Sequence, residues 1–353
     1  MGEEDVAALV TVSASDCRYL TNFTGEATSV IVTRDEVALV TDSRFTVQAG
    51  EEVMGARVLL AENGPEGPVI EFLRDVLTVP QEEHLTFAVD TERLSLKHWE
   101  RLRSALDEVP LEWKTVDGLV GKARVKKFPD EVAAVSAAAA LADSAFAYLE
   151  TISVVGRTEL DVALDLEVFL RRNGSEGIPF PFIVAAGPRA AMPHGEASSA
   201  FIQNGQLVVF DIGAVIDGYA SDITRTYATG PLDEELTSAY EAVRSSQEIA
   251  VARARSGMSC KDLDKLARDH LAEAGLDDLF VHSLGHGVGL EVHEAPGVGP
   301  RSTETLGEGM IITVEPGVYL PGKGGVRIED TVLITASGAQ SLTHSPRELR
   351  FLH

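Results

Sequence analysis

The chain has 353 residues, which exceeds the usual size of one domain and predicts two domains, each with a substantial core. Its 55 acidic and 30 basic residues give a net charge of −25, which excludes nucleic acids and anionic membranes as partners bound through bulk charge. The start "MGEEDVAALV" is acidic where a signal peptide would be basic, and we expect no apolar run of the ~18 residues that a membrane span needs. Because Cys17 and Cys260 are the only cysteines, no disulfide framework is expected, and the sequence indicates a cytoplasmic protein.

The first part of the chain predicts a small α/β domain. Short apolar runs such as "SVIVT" and "VALVTDSRF" are typical of strands, and "VIEFLRDVL" and "LKHWERLRSAL" have helical periodicity. Basic residues then cluster near "GKARVKK", and Pro129 followed by two acidic residues opens a long Ala-rich helix. The expected domains are therefore residues 1–120 and 121–353.

Capping patterns predict the other helices of the second domain. Thr158 and Ser259, each followed three residues later by aspartate, are N-cap signals for helices that end near residues 174 and 275. A further helix is expected over about 233–255. The strands of this domain are therefore expected in two groups, around 205–228 and 310–335.

The two strand groups share a pattern. "VVFDIGAVIDGYASDITRTY" and "ITVEPGVYLPGKGGVRIEDTVL" each run from an apolar strand to an acidic residue, a tight turn, a second strand and a second acidic residue. A similarity this short also arises by chance. It would equally arise if two hairpins faced one pocket and each offered two carboxylates to it.

The first hairpin brings two aspartates together. A two-residue turn at Asp217 and Gly218 pairs position 216 with 219 and position 213 with 222. Asp211 then lies on the same face as position 213, so Asp211 and Asp222 become diagonal cross-strand neighbours with Cβ atoms ~7 Å apart. This separation allows both carboxylates to bind one cation or a close pair of cations.

The second hairpin offers two glutamates. A turn at Gly322 places Glu315 opposite Glu329, so four carboxylates would converge and, at neutral pH, would need solvent or cations between them. The alternative, acidic residues on a solvated strand face, fits Asp217 and Asp330 better than the other four.

His286 is the expected nitrogen ligand of this cluster. Gly285 and Gly287 flank it within "LGHGVGLEVHEAP", and their small size would let an imidazole reach crowded carboxylates. One nitrogen with several oxygens suits Mn²⁺, Co²⁺, Fe²⁺ or Zn²⁺, whereas the absence of thiolates argues against a structural zinc site. Four acidic ligands balance about two divalent ions, and two metals ~3.5–4 Å apart can share a hydroxide and polarise a carbonyl.

The five candidate ligands resemble, in their order and their neighbours, the ligand signature of the M24 pita-bread metallopeptidases. They are Asp211, Asp222, His286, Glu315 and Glu329. The segments "SDITRT", "GHGVGLEVHEAP", "EPGVY" and "GGVRIED" extend the resemblance over the second domain, and "YLTNFTG" and "DSRFTVQA" are similar to the creatinase-type N-terminal domain. The resemblance implies an α/β (α+β) chain with a C-terminal pita-bread (creatinase/aminopeptidase) domain and a smaller creatinase-like N-terminal α/β domain. It further implies a homodimer and two divalent metal ions per chain, and Mn²⁺ is the expected metal.

The resemblance also implies a role for each ligand. Asp211 and Asp222 would bridge or chelate the metals, and His286 would bind one of them. Glu315 would bind a metal and shuttle a proton, and Glu329 would bridge the two ions.

Three further histidines match family positions. By the resemblance, His194 in "AAMPHGEAS" would meet the scissile amide or the developing oxyanion, His293 would hold the substrate carbonyl, and His282 would be a pocket residue. Without the resemblance, each fits an ordinary hydrogen-bonded loop or core histidine better.

Three more side chains sit inside the motifs. Tyr219, Arg225 and Arg327 are expected to orient the ligands, and Arg327 is also a candidate contact for the substrate.

The implied reaction is hydrolysis of the Xaa-Pro bond at a peptide N-terminus. The main hypothesis is an Xaa-Pro dipeptidase (prolidase) acting on dipeptides or short peptides, and the alternative is an aminopeptidase P acting on longer ones. Methionine aminopeptidase usually lacks the N-terminal domain. Many prolidases carry an arginine after "HExP" that can bind the dipeptide's carboxylate, but Gly297 stands there. Arg189, or Arg44 from a partner subunit, is hypothesised to replace it.

Two other classes of function occur on the pita-bread fold. Some pita-bread proteins have lost the ligands and act as binding modules, and creatinase hydrolyses an amidine without metal. Neither has the full ligand set that this sequence carries.

Overall fold

The computed structural model describes residues 6–26, 29–61, 66–77, 85–91, 94–105, 107 and 111–353. The chain divides into two compact units, Met1–Arg124 and Val125–His353. The boundary between the two units lies after Arg124, whereas the sequence predicts a domain boundary close to residue 120.

The first unit contains a six-stranded mixed sheet in the order β4-β3-β2-β1-β5-β6. Strands β1, β2 and β3 are antiparallel, whereas the pairs β3–β4, β1–β5 and β5–β6 are parallel. The core packs apolar strand residues such as Ile31, Val40 and Phe87 against Phe72 and Leu73 of a helix. The strands are β1 Ala8–Thr11, β2 Ser29–Thr33, β3 Val37–Asp42, β4 Arg57–Ala61, β5 Leu85–Asp90 and β6 Leu111–Val116; the helices are α1 Ala14–Thr21, α2 Thr46–Glu52, α3 Glu66–Leu77, α4 Leu96–Ala105 and α5 Leu119–Arg124.

A buried ion pair links the two ends of this unit. The Ser13 side chain caps α1, and Asp16 in the first turn of that helix lies 2.8 Å from the Arg124 guanidinium at the end of α5. Burial raises the pKa of the Asp16 carboxyl, although Arg124 opposes that effect.

The second unit alternates helices with short antiparallel strands. Its strands form a three-stranded sheet (β11-β8-β7), a five-stranded sheet (β13-β12-β14-β17-β18) and the two-stranded ribbons β9–β10 and β15–β16. The strands are β7 Ile183–Ala186, β8 Leu207–Ile212, β9 Val215–Ile216, β10 Tyr219–Ala220, β11 Ile223–Ala228, β12 Gly285–Gly287, β13 Glu294–Val298, β14 Ile311–Val314, β15 Gly317–Leu320, β16 Gly324–Arg327, β17 Asp330–Thr335 and β18 Gly338–Ser341; the helices are α6 Pro129–Leu149, α7 Glu159–Arg172, α8 Glu234–Arg253 and α9 Cys260–Glu273.

The helices of this unit begin where the capping patterns predict. Thr158, Asp233 and Ser259 are the N-caps of α7, α8 and α9, and each side chain accepts a hydrogen bond from a backbone N–H of the first turn. Such caps satisfy donors that the helix itself leaves unpaired.

Helix α6 corrects one expectation. By length and composition it is apolar enough to cross a membrane, contrary to the expectation that no such stretch exists. It packs as a core helix, because Ala138, Ala142 and Phe146 are buried among residues of α7 and the three-stranded sheet. On its other side, the Asp143 carboxylate accepts hydrogen bonds from Ser345.

The predicted register of both hairpins is confirmed. Ile216 pairs with Tyr219, and the same count continues across β8 and β11, where Thr224 lies opposite Asp211. Asp217 and Gly218 have φ angles of +48° and +73°, as a turn with two left-handed residues requires. In the second hairpin, Leu320 pairs with Gly324 and Val314 pairs with Asp330, so the same register places Glu315 opposite Glu329.

Four strands of the second unit, β7, β12, β13 and β18, lie outside the two predicted strand groups. β7 is four residues long, and β12 consists of Gly285, His286 and Gly287, two of which have no intrinsic preference for strands. β12 and β13 form because they pair with each other, and β12 also pairs with β14. Such pairing is a tertiary effect that local sequence does not encode.

We expect the Gly218→Ala substitution to destabilise the protein, because a Cβ in the left-handed region costs about 1–2 kcal/mol. Urea unfolding should show a loss of this size. Gly177→Ala is the matched control, since a Cβ at Gly177 would have no neighbour within 4 Å, and its effect should stay within about 0.5 kcal/mol. Equal stability of the two variants would contradict the turn assignment.

Candidate metal centre

The five candidate ligands line one cavity of about 510 Å³ in the second unit. The other predicted site residues line the same cavity, so the structure brings the whole predicted set together. The set consists of Asp211, Asp222, His286, Glu315 and Glu329 together with His194, His282, His293 and Arg327.

The central side chains approach closely enough to share a metal ion. Ligand atoms of Asp222, His286 and Glu329 all lie within 4.8 Å of one another. The Nε2 atom of His286 is 3.3 Å from Oε1 of Glu315 and 3.6 Å from Oδ2 of Asp222. Asp211 is at the end of β8, and its register partner Thr224 contacts Glu329.

Unpaired carboxylate oxygens show that this cluster fits divalent metal ions. Oδ1 of Asp211, Oδ1 of Asp222 and Oε1 of Glu329 are buried and accept no hydrogen bond from any described residue. Buried acceptors are nearly always satisfied, so several unpaired oxygens around one point call for a ligand of opposite charge. An imidazole nitrogen with carboxylate oxygens is a donor set for first-row divalent metals.

The electrostatics of the cluster support the same conclusion. Burial, followed by the charges of the neighbouring carboxylates, raises the pKa values of Asp222 and Glu329 well above their usual range. Burial opposes the charge on His286 and Glu315, but their mutual hydrogen bond and attraction raise the pKa of His286 and lower that of Glu315. The carboxyl groups of Asp222 and Glu329 therefore favour the protonated form when no cation is near, whereas divalent cations would favour the ionised form of both.

The glycines around His286 serve a different purpose from the expected one. A Cβ at Gly285 would lie 2.1 Å from the carbonyl oxygen of Thr313, and a Cβ at Gly287 would lie 2.2 Å from that of Ala295. Neighbouring strand backbones occupy the space, so the glycines are required by sheet packing. They position His286 by allowing β12 to insert between β13 and β14.

Hydrogen bonds hold the acidic side chains in place. Arg327 donates from Nη2 to Asp211 at 2.5 Å and from Nε to Thr224 at 3.1 Å. Thr224 in turn donates to Glu329 at 2.6 Å, and Thr313 donates to Glu315 at 3.1 Å. Sequence reasoning missed both threonines, although the register of the first hairpin already placed Thr224 opposite Asp211.

Arg327 thus holds the candidate ligand Asp211 in place, which agrees with the expected orienting role. Its Nη1 donates to the Pro193 carbonyl and to the hydroxyl of Tyr319, which also bonds Nε2 of His282 at 2.8 Å. Only 3% of Arg327 is exposed, and its contact with substrate stays a prediction. Tyr319, which the sequence analysis did not single out, links His282 to this arginine.

The remaining motif residues have structural roles. Tyr219 donates to Glu131 at the start of α6 and not to a candidate ligand. Arg225 donates to the main-chain oxygen of Glu329 and to the Asp330 side chain. Asp330 is fully buried, so its expected place on a solvated face was wrong; the burial is stabilised by this arginine and by Gln247.

The three additional histidines lie around the candidate ligands. His194 and His293 are exposed to the cavity, and the His293 ring centroid is 4.2 Å from that of His286. Burial, followed by the charge of His286, lowers the pKa of His293. Burial also lowers the pKa of His282, so both rings favour the neutral form and can accept or donate a hydrogen bond.

The two arginines that were hypothesised to replace the missing arginine both form ion pairs within the chain. Arg189 pairs with the buried carboxylate of Glu159 at 2.9 Å and donates to the Glu196 main chain. Arg44, in the first unit, pairs with Asp42 at 2.7 Å. Gly297 lines the metal cavity, and a Cβ there would meet no atom within 4 Å.

Comparison with known proteins gives matches over both units. Residues 133–336 match the Metallopeptidase family M24, and residues 1–126 match the Creatinase/Prolidase N-terminal domain. An Xaa-Pro dipeptidase from Pyrococcus furiosus is 46% identical over 239 residues, which are 67% of this chain and 68% of that protein. The structure of an Xaa-Pro dipeptidase from Bacillus anthracis superposes with a TM-score of 0.94 at 35% identity, over 99% of this chain and 96% of that one.

A second solved structure has a different activity in its name. An X-Pro aminopeptidase from Thermotoga maritima superposes with a TM-score of 0.88 at 34% identity, over 99% of this chain and 98% of that one. These matches confirm the fold class and the resemblance predicted from the sequence.

We expect Asp222→Ala and His286→Ala each to lower the bound metal per chain strongly, because each removes a donor from the centre of the cluster. Elemental analysis of purified protein after loading with Mn²⁺ measures this directly. The matched control is Asp217→Asn, which removes an exposed carboxylate at the hairpin turn and should leave metal content unchanged. Normal metal content in both alanine variants would contradict the assignment of the site.

Proposed function

The chain belongs to metallopeptidase family M24, and we propose that it hydrolyses the Xaa-Pro bond at the N-terminus of peptides, as an Xaa-Pro dipeptidase. The single observation that carries this proposal is the carboxylate cluster with buried, unpaired oxygens that lines one cavity together with three further histidines. The names of the dipeptidase relatives support the choice of substrate class.

The proposed cofactor is a pair of divalent metal ions, held by Asp211, Asp222, His286, Glu315 and Glu329, with Mn²⁺ as the metal. When bound, such ions activate a water molecule and polarise the scissile carbonyl. The presence of all five donors speaks against a binding module that has lost its ligands and against metal-free amidine hydrolysis.

The protein's own residues supply proton transfer and substrate orientation. In this proposal, Glu315 takes a proton from the attacking water molecule and passes it to the leaving imino nitrogen. His194 donates to the developing oxyanion, and His293 holds the substrate carbonyl. The apolar wall residues Phe180 and Ile183 suit the pyrrolidine ring of proline.

Aminopeptidase P activity on longer peptides is the second candidate function. The observation that favours it is Gly297, which leaves open a wall position where many prolidases have an arginine. The structural match to the Thermotoga maritima X-Pro aminopeptidase agrees with this alternative. The cytoplasmic location and the homodimer stay predictions from the sequence.

We expect EDTA-treated protein to be inactive and Mn²⁺ to restore hydrolysis of Ala-Pro, with Ala-Pro-Ala cleaved more slowly. Initial rates of amino-acid release measure both reactions, and Ala-Ala serves as the control without proline. Preferential cleavage of the tripeptide would replace the dipeptidase assignment by aminopeptidase P. No cleavage of either proline peptide would refute the proposed function.

We expect Gly297→Arg to increase selectivity for the dipeptide by about 10-fold or more, because the new guanidinium can pair with a dipeptide carboxylate and narrows the cavity. The measurement is the ratio of kcat/KM for Ala-Pro to that for Ala-Pro-Ala. Gly177→Ala is the control for a glycine that lines no part of this cavity. An unchanged ratio would show that position 297 does not face the carboxyl end of the substrate.

A further inference from the structure

A second cavity adjoins the metal cavity. Its volume is about 1010 Å³, and His282, Ser283 and Gly297 line both cavities. The wall that these three residues form is therefore common to the metal cavity and the second cavity.

Gly297, which lines both cavities, has open space beside it. A Cβ at this position would meet no atom within 4 Å, so no side chain from this position separates the cavities. The Gly297 backbone is held in place, since its N–H donates to Oε2 of Glu304 at 2.9 Å. Glu304 itself lines the second cavity.

Arg301 differs from the other arginines that line the two cavities in the described part of the chain. Arg327 is bound to Asp211, and Arg268 is bound to Asp264 at 2.7 Å and to the main-chain oxygen of Phe280. Arg301 is exposed on the wall of the second cavity and forms no ion pair with any described residue. Its guanidinium is therefore available to a ligand.

We propose that Arg301 binds the C-terminal carboxylate of the substrate, with the second cavity receiving the carboxyl end of the peptide. This inference rests on the proposed function, because it takes the metal cavity to hold the scissile bond. A guanidinium presents paired N–H donors that match a carboxylate. The Glu304 carboxylate in the same cavity repels an incoming anion, so a peptide carboxylate needs a cation beside it.

The experiment compares peptide acids with their amides. KM is measured with Mn²⁺ for Ala-Pro, Ala-Pro-NH₂, Ala-Pro-Ala and Ala-Pro-Ala-NH₂ in the wild type and in Arg301→Ala. Arg253→Ala is the matched control, because it removes an exposed arginine that lines neither cavity. Dissociation constants of the same peptides for EDTA-treated protein, measured by calorimetry, give a readout that does not depend on turnover.

In at least one of the two acid and amide pairs, the wild type should bind the acid about 5- to 50-fold more tightly than the amide. The lower value corresponds to an exposed ion pair, and the upper value corresponds to a hydrogen bond between charged groups. Arg301→Ala should lose this preference, with little change in kcat, and Arg253→Ala should keep it. The peptide pair whose acid preference is lost in Arg301→Ala shows whether the dipeptide carboxylate or the tripeptide carboxylate reaches Arg301.

An acid preference that is equal in the wild type and Arg301→Ala, in both pairs, would overturn the proposal while leaving the proposed function intact. If the wild type cleaves none of the four peptides, the proposed function fails, and the ratios of dissociation constants still decide the role of Arg301.

Discussion

In the second unit, the buried carboxyl groups of Asp211, Asp222 and Glu329 meet the half-buried carboxyl group of Glu315 around one point, and the geometry of the site depends on how their charges are balanced. Burying an ionised carboxylate is costly unless a charge of opposite sign accompanies it, and Arg327 directly pairs with only Asp211 among them. The raised pKa values of Asp222 and Glu329 express this cost. Divalent cations would remove it, so the same feature that opposes burial of the carboxylates alone favours the binding of cations.

The surrounding fold holds these groups in place. Two hairpins supply two carboxylates each, and their registers put Asp211 beside Asp222 and Glu315 opposite Glu329. Thr224 ties the two hairpins together by its hydrogen bond to Glu329. Hydrogen bonds of this kind fix ligand orientation, which is what a metal centre needs before it can act on a substrate.

Much of this arrangement could be predicted from sequence because hairpin register follows from turn chemistry. Asp217 and Gly218 define the first turn, and simple counting from it reaches Asp211 and Asp222. The resemblance carried by His286 and its neighbours identified the family, which the comparisons confirm. The helix starts at Thr158 and Ser259 could also be predicted from the sequence, because an N-cap signal depends only on neighbouring residues.

Other features depend on contacts between segments distant in sequence. The glycines beside His286 are required by the carbonyl oxygens of Thr313 and Ala295, which no local pattern reveals. Asp330 was assigned to a solvated face because alternation along a strand does not show which face a second layer covers. The second cavity beyond Gly297 likewise arises from segments that meet only in the folded chain.

The most direct test of this account is a calorimetric titration of Mn²⁺ into EDTA-treated wild-type protein. We expect about two ions to bind per chain and the midpoint of thermal unfolding to rise as they bind, because the cations neutralise the buried carboxylates. Absence of binding, or binding that leaves thermal stability unchanged, would contradict it.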